Sequence, residues 1–185
     1  MELITNNTVT DKLWENEPDF LDWIDGEYGC RIIRHPHFKH LCGYVGVNKD
    51  HVLYGMSYDS INDLYPDLNV HGGLTYSDLF ISEELPTSEL WWIGFDCGHC
   101  HDFQPGYIEL LKNRGVISLA MSDTVYRTID YVKENVTKLV KQLRESEDSV
   151  SFMVGYTKGL ITKLKDDVGD RALTVCKLVM KELDE

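Results

Sequence analysis

Two hydrophobic periods run through this chain. The clearer is helical: Val125, Ile129, Val132, Val136, Leu139, Val140 and Leu143 recur at spacings of three and four, with Lys133, Glu134, Lys138, Lys141 and Gln142 between them. This predicts one long amphipathic helix from Ser122 or Asp123, either of which suits an N-cap, to about Arg144. The second period is that of strands. Cys30–His35 and Leu41–Val47 are joined by His35-Pro36-His37-Phe38-Lys39-His40, where Pro36 disfavours a continuous ladder, so the pair reads as a hairpin. A third strand is expected from about Leu68 to Tyr76 and a fourth from Leu90 to Asp96, with an acidic loop from Ser77 to Ser88 between them.

Shorter helices are expected at Pro18–Ile24, presenting Phe20, Leu21, Trp23 and Ile24 and closed by Gly26, and at Tyr58–Leu64 before Pro66. From Gln104 to Ser118 the pattern fits a short helix around Ile108, Leu110 and Leu111, then a short strand, Val116–Met121. The polar run Glu145-Ser146-Glu147-Asp148-Ser149 breaks the long helical pattern and divides the chain into residues 1–145 and a mostly helical extension, 146–185. The extension holds Val150–Tyr156 and a last helix, Asp170–Asp184, striped by Leu173, Cys176, Met180 and Leu183. Short strands followed by a long amphipathic helix predict an α+β fold: an antiparallel sheet of four to five strands with the helix packed on one face.

Composition narrows the function classes. The 185 residues are 43% apolar and 11% aromatic, enough for a real core, and carry 31 acidic against 18 basic residues for a net charge of −13. Such a surface repels nucleic-acid backbones, so no direct nucleic-acid binding is expected. No 18-residue apolar run occurs, and Met1-Glu2-Leu3-Ile4-Thr5-Asn6-Asn7 lacks a basic and an apolar signal region, so neither a membrane span nor a signal peptide is expected. Five irregularly spaced cysteines, Cys30, Cys42, Cys97, Cys100 and Cys176, suit reduced thiols in a cytoplasmic protein.

Chemistry concentrates where the fourth strand ends. Trp91-Trp92-Ile93-Gly94-Phe95 runs into Asp96-Cys97-Gly98-His99-Cys100-His101-Asp102, seven residues holding two carboxylates, two thiols and two imidazoles. Strand alternation puts Trp92, Gly94 and Asp96 on one face, and Asn69, His71, Gly73 and Thr75 on one face of the third strand. If the two strands are neighbours, His71 and Asp96 meet over a glycine floor, with His40, Cys42 and Tyr44 as a wall.

The segments His40–Val47, His51–Gly55, Val70-His71-Gly72-Gly73-Leu74-Thr75-Tyr76, Trp91–His99 and Tyr126-Arg127 together resemble a family of uncharacterised small proteins encoded by bacteriophages and prophages. Its pattern, His-Gly-Gly followed by Gly-Phe-Asp-Cys-x-His-x-x-Asp, falls on His71, Gly72, Gly73, Gly94, Phe95, Asp96, Cys97, His99 and Asp102, and the likeness spans roughly residues 14–143. Cys100 and His101 stand where the family has small residues, and the tail after about Glu145 extends beyond it. The resemblance implies a phage-type accessory protein at work in the host cytoplasm; it implies no particular reaction.

Several readings of the cluster compete. Cys97-Gly98-His99-Cys100 matches a dithiol redox motif, but Pro105-Gly106 interrupts the long helix that such a motif needs, and no later proline is available for the cis bond of that fold. A structural zinc site would need a second pair of ligands, for which Cys30 and Cys42 are single residues. A divalent metal (zinc, manganese or magnesium) could be held by His71, Asp96, His99 and Asp102 and activate water against a phosphoester or ester. Alternatively the pocket binds a nucleotide-like small molecule, such as a host immune signal. Tyr44 and Trp92 would stack, Gly72, Gly73 and Thr75 admit and bond a flat ligand, and Arg127 pair with a phosphate. If it also hydrolyses that ligand, Asp96, His99 and His71 are the candidate catalytic groups. The structural alternative is that His71 and Asp96 are a hydrogen-bonded pair pinning two strands. A different class altogether is an acidic decoy that binds a host protein, and the apolar stripe of the extension would also suit a homo-oligomer interface.

Overall fold

A computed structural model describes residues 12–79, 89–115 and 124–168. The elements in chain order are α1 (Leu13–Asn16), β1 (Phe20–Asp25), β2 (Tyr28–Arg34), β3 (Leu41–Val47), α2 (Tyr58–Leu64), β4 (Tyr76–Asp78), β5 (Trp91–Asp96), α3 (Pro105–Asn113) and α4 (Ile129–Val168). The strands form one antiparallel sheet in the order β1-β2-β3-β5-β4, so the fold is α+β as expected. The chain divides into two compact units, Met1–Gln142 and Leu143–Glu185, against an expected division after Glu145. The whole sheet belongs to the first unit. No helix among the described residues is long and apolar enough to cross a membrane.

The sheet buries one face completely. Cys30, Ile32, Leu41, Val45, Val47, Ile93 and Phe95 have at most 1% exposure, as do Val132, Val136, Leu139 and Val140 of α4. Helix and sheet approach so closely at Gly43 that a Cβ there would lie 2.6 Å from the Phe95 ring and 2.8 Å from Val136 Cγ2. The opposite face is covered by the chain's own aromatics. Trp92 lies over Gly29 and Gly46, the Arg31 guanidinium stacks on its indole at 4.5 Å, and Arg31 is tied to Asp22 at 2.8 Å.

Three expectations are corrected. Residues 20–25 form an edge strand, not a helix: Phe20, Leu21, Trp23 and Ile24 fit either period, and pairing with β2 in the register Phe20↔Ile33 decides it. The strand expected over Leu68–Tyr76 shrinks to Tyr76–Asp78, because Gly72 and Gly73 both take positive φ (68° and 85°) and turn the chain instead. The short helix expected around Ile108, Leu110 and Leu111 is present as α3, with Pro105 in its first turn. The polar run Glu145–Ser149 does not stop the long helix, which continues through it to Val168. Polarity alone does not break a helix; the run contains neither Gly nor Pro. The strand expected at Val116–Met121, the caps Ser122 and Asp123, the helix Asp170–Asp184 and most of the loop Ser77–Ser88 lie outside the described residues. Within them, α4 is started by Thr128, whose Oγ1 accepts from Tyr131 N at 3.3 Å, and by Glu17, whose Oε1 accepts from Ile129 N at 2.9 Å.

The helix–sheet contact makes a prediction. Gly43→Ala should cost about 1–3 kcal/mol by overpacking, and Leu139→Ala about 2–5 kcal/mol by leaving a cavity, both measured by urea denaturation. A Gly43→Ala protein as stable as the parent would refute the packing described for this face.

Candidate functional site

The seven-residue stretch that ends β5 folds into a loop held by its own two carboxylates. Asp96 Oδ1 accepts from Gly98 N at 2.8 Å, and Asp102 Oδ2 accepts from His99 N at 3.0 Å while Asp102 N donates to His99 O at 2.9 Å. The two carboxylates serve different surroundings. Asp96 shares a sheet face with Cys42 and Tyr44, and its Oδ2 accepts from Thr75 Oγ1 at 2.8 Å. Asp102, with a side chain only 1% exposed, accepts from His71 Nε2 at 2.7 Å and from Arg127 Nε at 2.8 Å. His71 therefore pairs with Asp102 and not with Asp96, because the Gly72-Gly73 turn takes it off the sheet.

Around Asp102 a line of hydrogen bonds forms. The other nitrogen of His71, Nδ1, meets Tyr131 Oη at 2.9 Å, and the backbone N–H of His71 donates to Asn135 Oδ1 at 3.1 Å. The Arg127 guanidinium sits 4.9 Å from the Tyr131 ring centre. His99 lies beside His71, ring centres 5.4 Å apart, with its imidazole against the Gly72 α-carbon, where any side chain would collide with it. His99 Nε2 is buried without a hydrogen-bond partner among the described residues. Burial pushes the Asp102 pKa up, but the bonds from Arg127 and His71 and the His99 N–H outweigh it and hold the group below the usual carboxylate value. The bond to Asp102 in turn raises the Arg127 pKa.

On the Asp96 side lies an open hollow of about 480 Å³, lined by His35, Phe38, His40, Cys42, Asp96, Gly98, Gln104 and Tyr107. Three of its rings are nearly parallel: His35 lies 4.8 Å from His40 and 5.1 Å from Phe38, with interplanar angles of 23° and 17°. Tyr107 meets Phe38 edge-on at 6.2 Å, and both are exposed. His35 Nδ1 accepts from the backbone N–H groups of His37 (3.3 Å) and Phe38 (3.1 Å), so in the neutral ring Nε2 carries the proton. Gln104 Nε2 donates to Gly98 O at 2.8 Å, tying α3 to the loop. Burial lowers the pKa of both His35 and His40, reinforced by His37 at His35 and by His35 at His40.

The sequence-predicted residues thus separate. His71, His99, Asp102, Arg127, Gly72 and Gly73 come together; Asp96 and Thr75 form a second group. Tyr44 lies over Gly94, edge-on to Tyr76 at 5.4 Å, and Trp92 is 3% exposed in the packing of its face, so it belongs to the core. The four groups considered for a metal fall on two sides of the loop, and among the described residues no three His, Cys, Asp or Glu side chains converge on one point. The dithiol is also separated in character: Cys97 is buried and its thiol pKa pushed up by burial, Cys100 is exposed, and the next helix begins only at Pro105. The sequence pattern pointed to none of Tyr131, His35, Phe38, Gln104 and Tyr107 as site residues. A signal existed only for Tyr131, which is four residues after Arg127 at the start of a helix and therefore on the same side of it.

The lowered pKa values of His35 and His40 predict acid sensitivity. The unfolded chain takes up protons first, so the contribution to stability is complete above pH 6.5 and is lost as the pH falls below it. The thermal midpoint should drop between about pH 7 and pH 5, and drop less in His40→Gln; an equally steep decline in that variant would contradict the assignment. Compared with known protein families, with curated proteins and with solved structures, the chain matches none.

Proposed function

We propose that this protein binds a nucleotide-like small molecule, with the flat ring of the ligand seated in the hollow beside Asp96. The single observation that carries the reading is that hollow: about 480 Å³, within the size range of small-molecule sites, walled by aromatic rings and provided with a carboxylate whose orientation two hydrogen bonds fix. Phe38 and Tyr107 offer exposed ring faces for stacking. Asp96 retains lone pairs for an amino group or ring N–H, and the Nε2–H of neutral His35 provides a donor. The resemblance to phage-encoded proteins supports a ligand among the nucleotide-derived signals of host immunity, met in the host cytoplasm. Binding, rather than hydrolysis, is the activity this hollow supports. A metal-assisted hydrolysis, with zinc, manganese or magnesium at Asp96, His99, Asp102 and His71, would require Asp102 to exchange Arg127 and His71 for the ion and Asp96 to come round to the same side of the loop.

The net charge of −13 favours a second reading, an acidic protein that occupies a host protein in place of nucleic acid, alone or as a homo-oligomer. A thermal-shift screen with mono-, di- and cyclic nucleotides separates the two. A ligand at about a hundred times its Kd stabilises by about 2.7 kcal/mol, a rise in midpoint of roughly 5–10 °C for a chain of this size. Asp96→Ala and Tyr107→Ala should each abolish the rise. If no nucleotide moves the midpoint, or if Asp96→Ala responds like the parent, the small-molecule reading fails.

A further inference from the structure

None of the residues lining the hollow belongs to the hydrogen-bonded line through Asp102, and the proposed binding makes no use of that line. The direction of its hydrogen bonds follows from its members. An ionised Asp102 can only accept, so His71 Nε2 carries the proton between them. In neutral His71 the other nitrogen, Nδ1, is then an acceptor, and the Tyr131 hydroxyl 2.9 Å away donates to it. Carboxylate, imidazole and hydroxyl in this order are the arrangement that activates a hydroxyl nucleophile, the carboxylate holding the imidazole in the tautomer that can take the proton. The hydroxyl here is a phenol, more acidic than that of serine. The Arg127 guanidinium, 4.9 Å from the Tyr131 ring centre, favours the negative charge that develops on it. Only Arg127 Nε is engaged by Asp102, and the side chain is 25% exposed, which leaves its terminal nitrogens outside that bond. A purely structural pin between the loop and α4 would not require this cation against the phenol.

The geometry points to Tyr131 as the reactive end of an Asp102–His71–Tyr131 relay, a nucleophile toward a phosphoester whose negative charge Arg127 receives. In the step, the Tyr131 Oη–H bond breaks and its proton passes to His71 Nδ1 while the phenolate oxygen bonds to phosphorus. The bond from phosphorus to the leaving oxygen breaks, and that oxygen takes the proton back from His71, leaving an alcohol and a phosphotyrosyl ester. Water then attacks phosphorus with His71 Nδ1 accepting its proton; the bond from phosphorus to Tyr131 Oη breaks, Oη takes that proton from His71, and the phosphate leaves with Tyr131 regained. Tyr131 and His71 are the catalytic residues in this assignment; Asp102 is a positioning residue.

The inference is independent of ligand binding in the hollow, and an aryl sulfonyl fluoride tests it, its tetrahedral sulfur standing in for phosphorus. The full chain is treated in buffer containing EDTA with 4-(fluorosulfonyl)benzoate or with neutral benzenesulfonyl fluoride, and sites are mapped by peptide mass spectrometry. Tyr131 should label at least tenfold faster than the more exposed Tyr107, and faster with the anionic probe. Tyr131→Phe should lose that label, and His71→Asn and Asp102→Asn should each slow it at least tenfold, compared in whichever of the two keeps the parent's circular dichroism. Labelling of Tyr131 no faster than Tyr107 in the parent protein would overturn the assignment, as would unchanged labelling in a folded His71→Asn or Asp102→Asn variant. Asp96→Ala, which should abolish the nucleotide response, should leave this labelling intact, so the two readings fail separately.

Discussion

The Asp102 carboxylate is 1% exposed, and a carboxylate taken out of water without partners would cost several kcal/mol. The chain meets that cost with donors from three separate segments: Arg127 Nε ahead of α4, His71 Nε2 from the Gly72-Gly73 turn, and the His99 N–H of its own loop. Each donor constrains what carries it. The turn is drawn to the loop, the start of α4 is drawn to the turn, and the loop closes on itself. Phe103 N and Val125 N, bonded to Val125 O and His101 O at 2.9 Å each, run the chain alongside the same junction. The tautomer of His71, the direction of the Tyr131 hydroxyl and the position of Arg127 against its ring all follow from this one buried charge. Removing either cation or imidazole would leave an uncompensated carboxylate, which is why the group works as an organiser of the region more than as a source of net stability.

A second buried charge frames the first. Arg34, its side chain 3% exposed, reaches Asp19 at 2.6 Å, the Lys39 carbonyl at 3.1 Å and Tyr126 Oη at 2.7 Å, with Glu17 at 3.4 Å. Glu17 also accepts from Tyr126 Oη at 2.5 Å and from the first amide of α4. The residue next to Arg127 is therefore fixed by an independent network anchored in β2, and the entry into α4 is held from both sides. Sharing of the load between Tyr126 and Arg127 places a guanidinium against Tyr131 with its Nε bonded to Asp102.

How much of this could be read from the sequence depends on whether the determinant is local. The hairpin, α2, β5 and the core stripe of α4 are local patterns, with Val132, Val136, Leu139, Val140 and Leu143 all fully buried as their spacing implies. β1 was not legible because Phe20, Leu21, Trp23 and Ile24 satisfy both periods, and at a sheet edge with alternating half-exposed positions only the partner strand distinguishes them. The candidate site was legible from the density of Asp96 to Asp102, but its division into two sides was not. Strand alternation carries His71 to Asp96 only if the chain stays extended through Gly72 and Gly73, and paired glycines are the residues least bound to do so. The roles of Phe38, Gln104 and Tyr107 depend on α3 docking against the β2–β3 connection, a long-range contact with no sequence period.

Glycine in the strands also reads differently once its neighbours are known. A glycine floor under His71 and Asp96 suits a close ligand, yet Gly94 accommodates Tyr44, and elsewhere in the sheet Gly29 and Gly46 accommodate Leu90 and Trp92 and Gly43 accommodates Phe95 and Val136. These positions are filled by the protein itself, so most of the glycine pattern between residues 29 and 94 is a requirement of packing. Gly72 is different in kind: it seats the His99 imidazole, whose Nε2 is buried without a partner, beside His71. Packing explains why His99 lies flat on that backbone, but not why a polar ring rather than an apolar one should occupy it, since an unpaired buried nitrogen is a cost that a leucine would avoid. The same unmet state recurs on the Asp96 side at His40 Nδ1, so among the described residues each side of the loop carries a buried imidazole nitrogen without a partner.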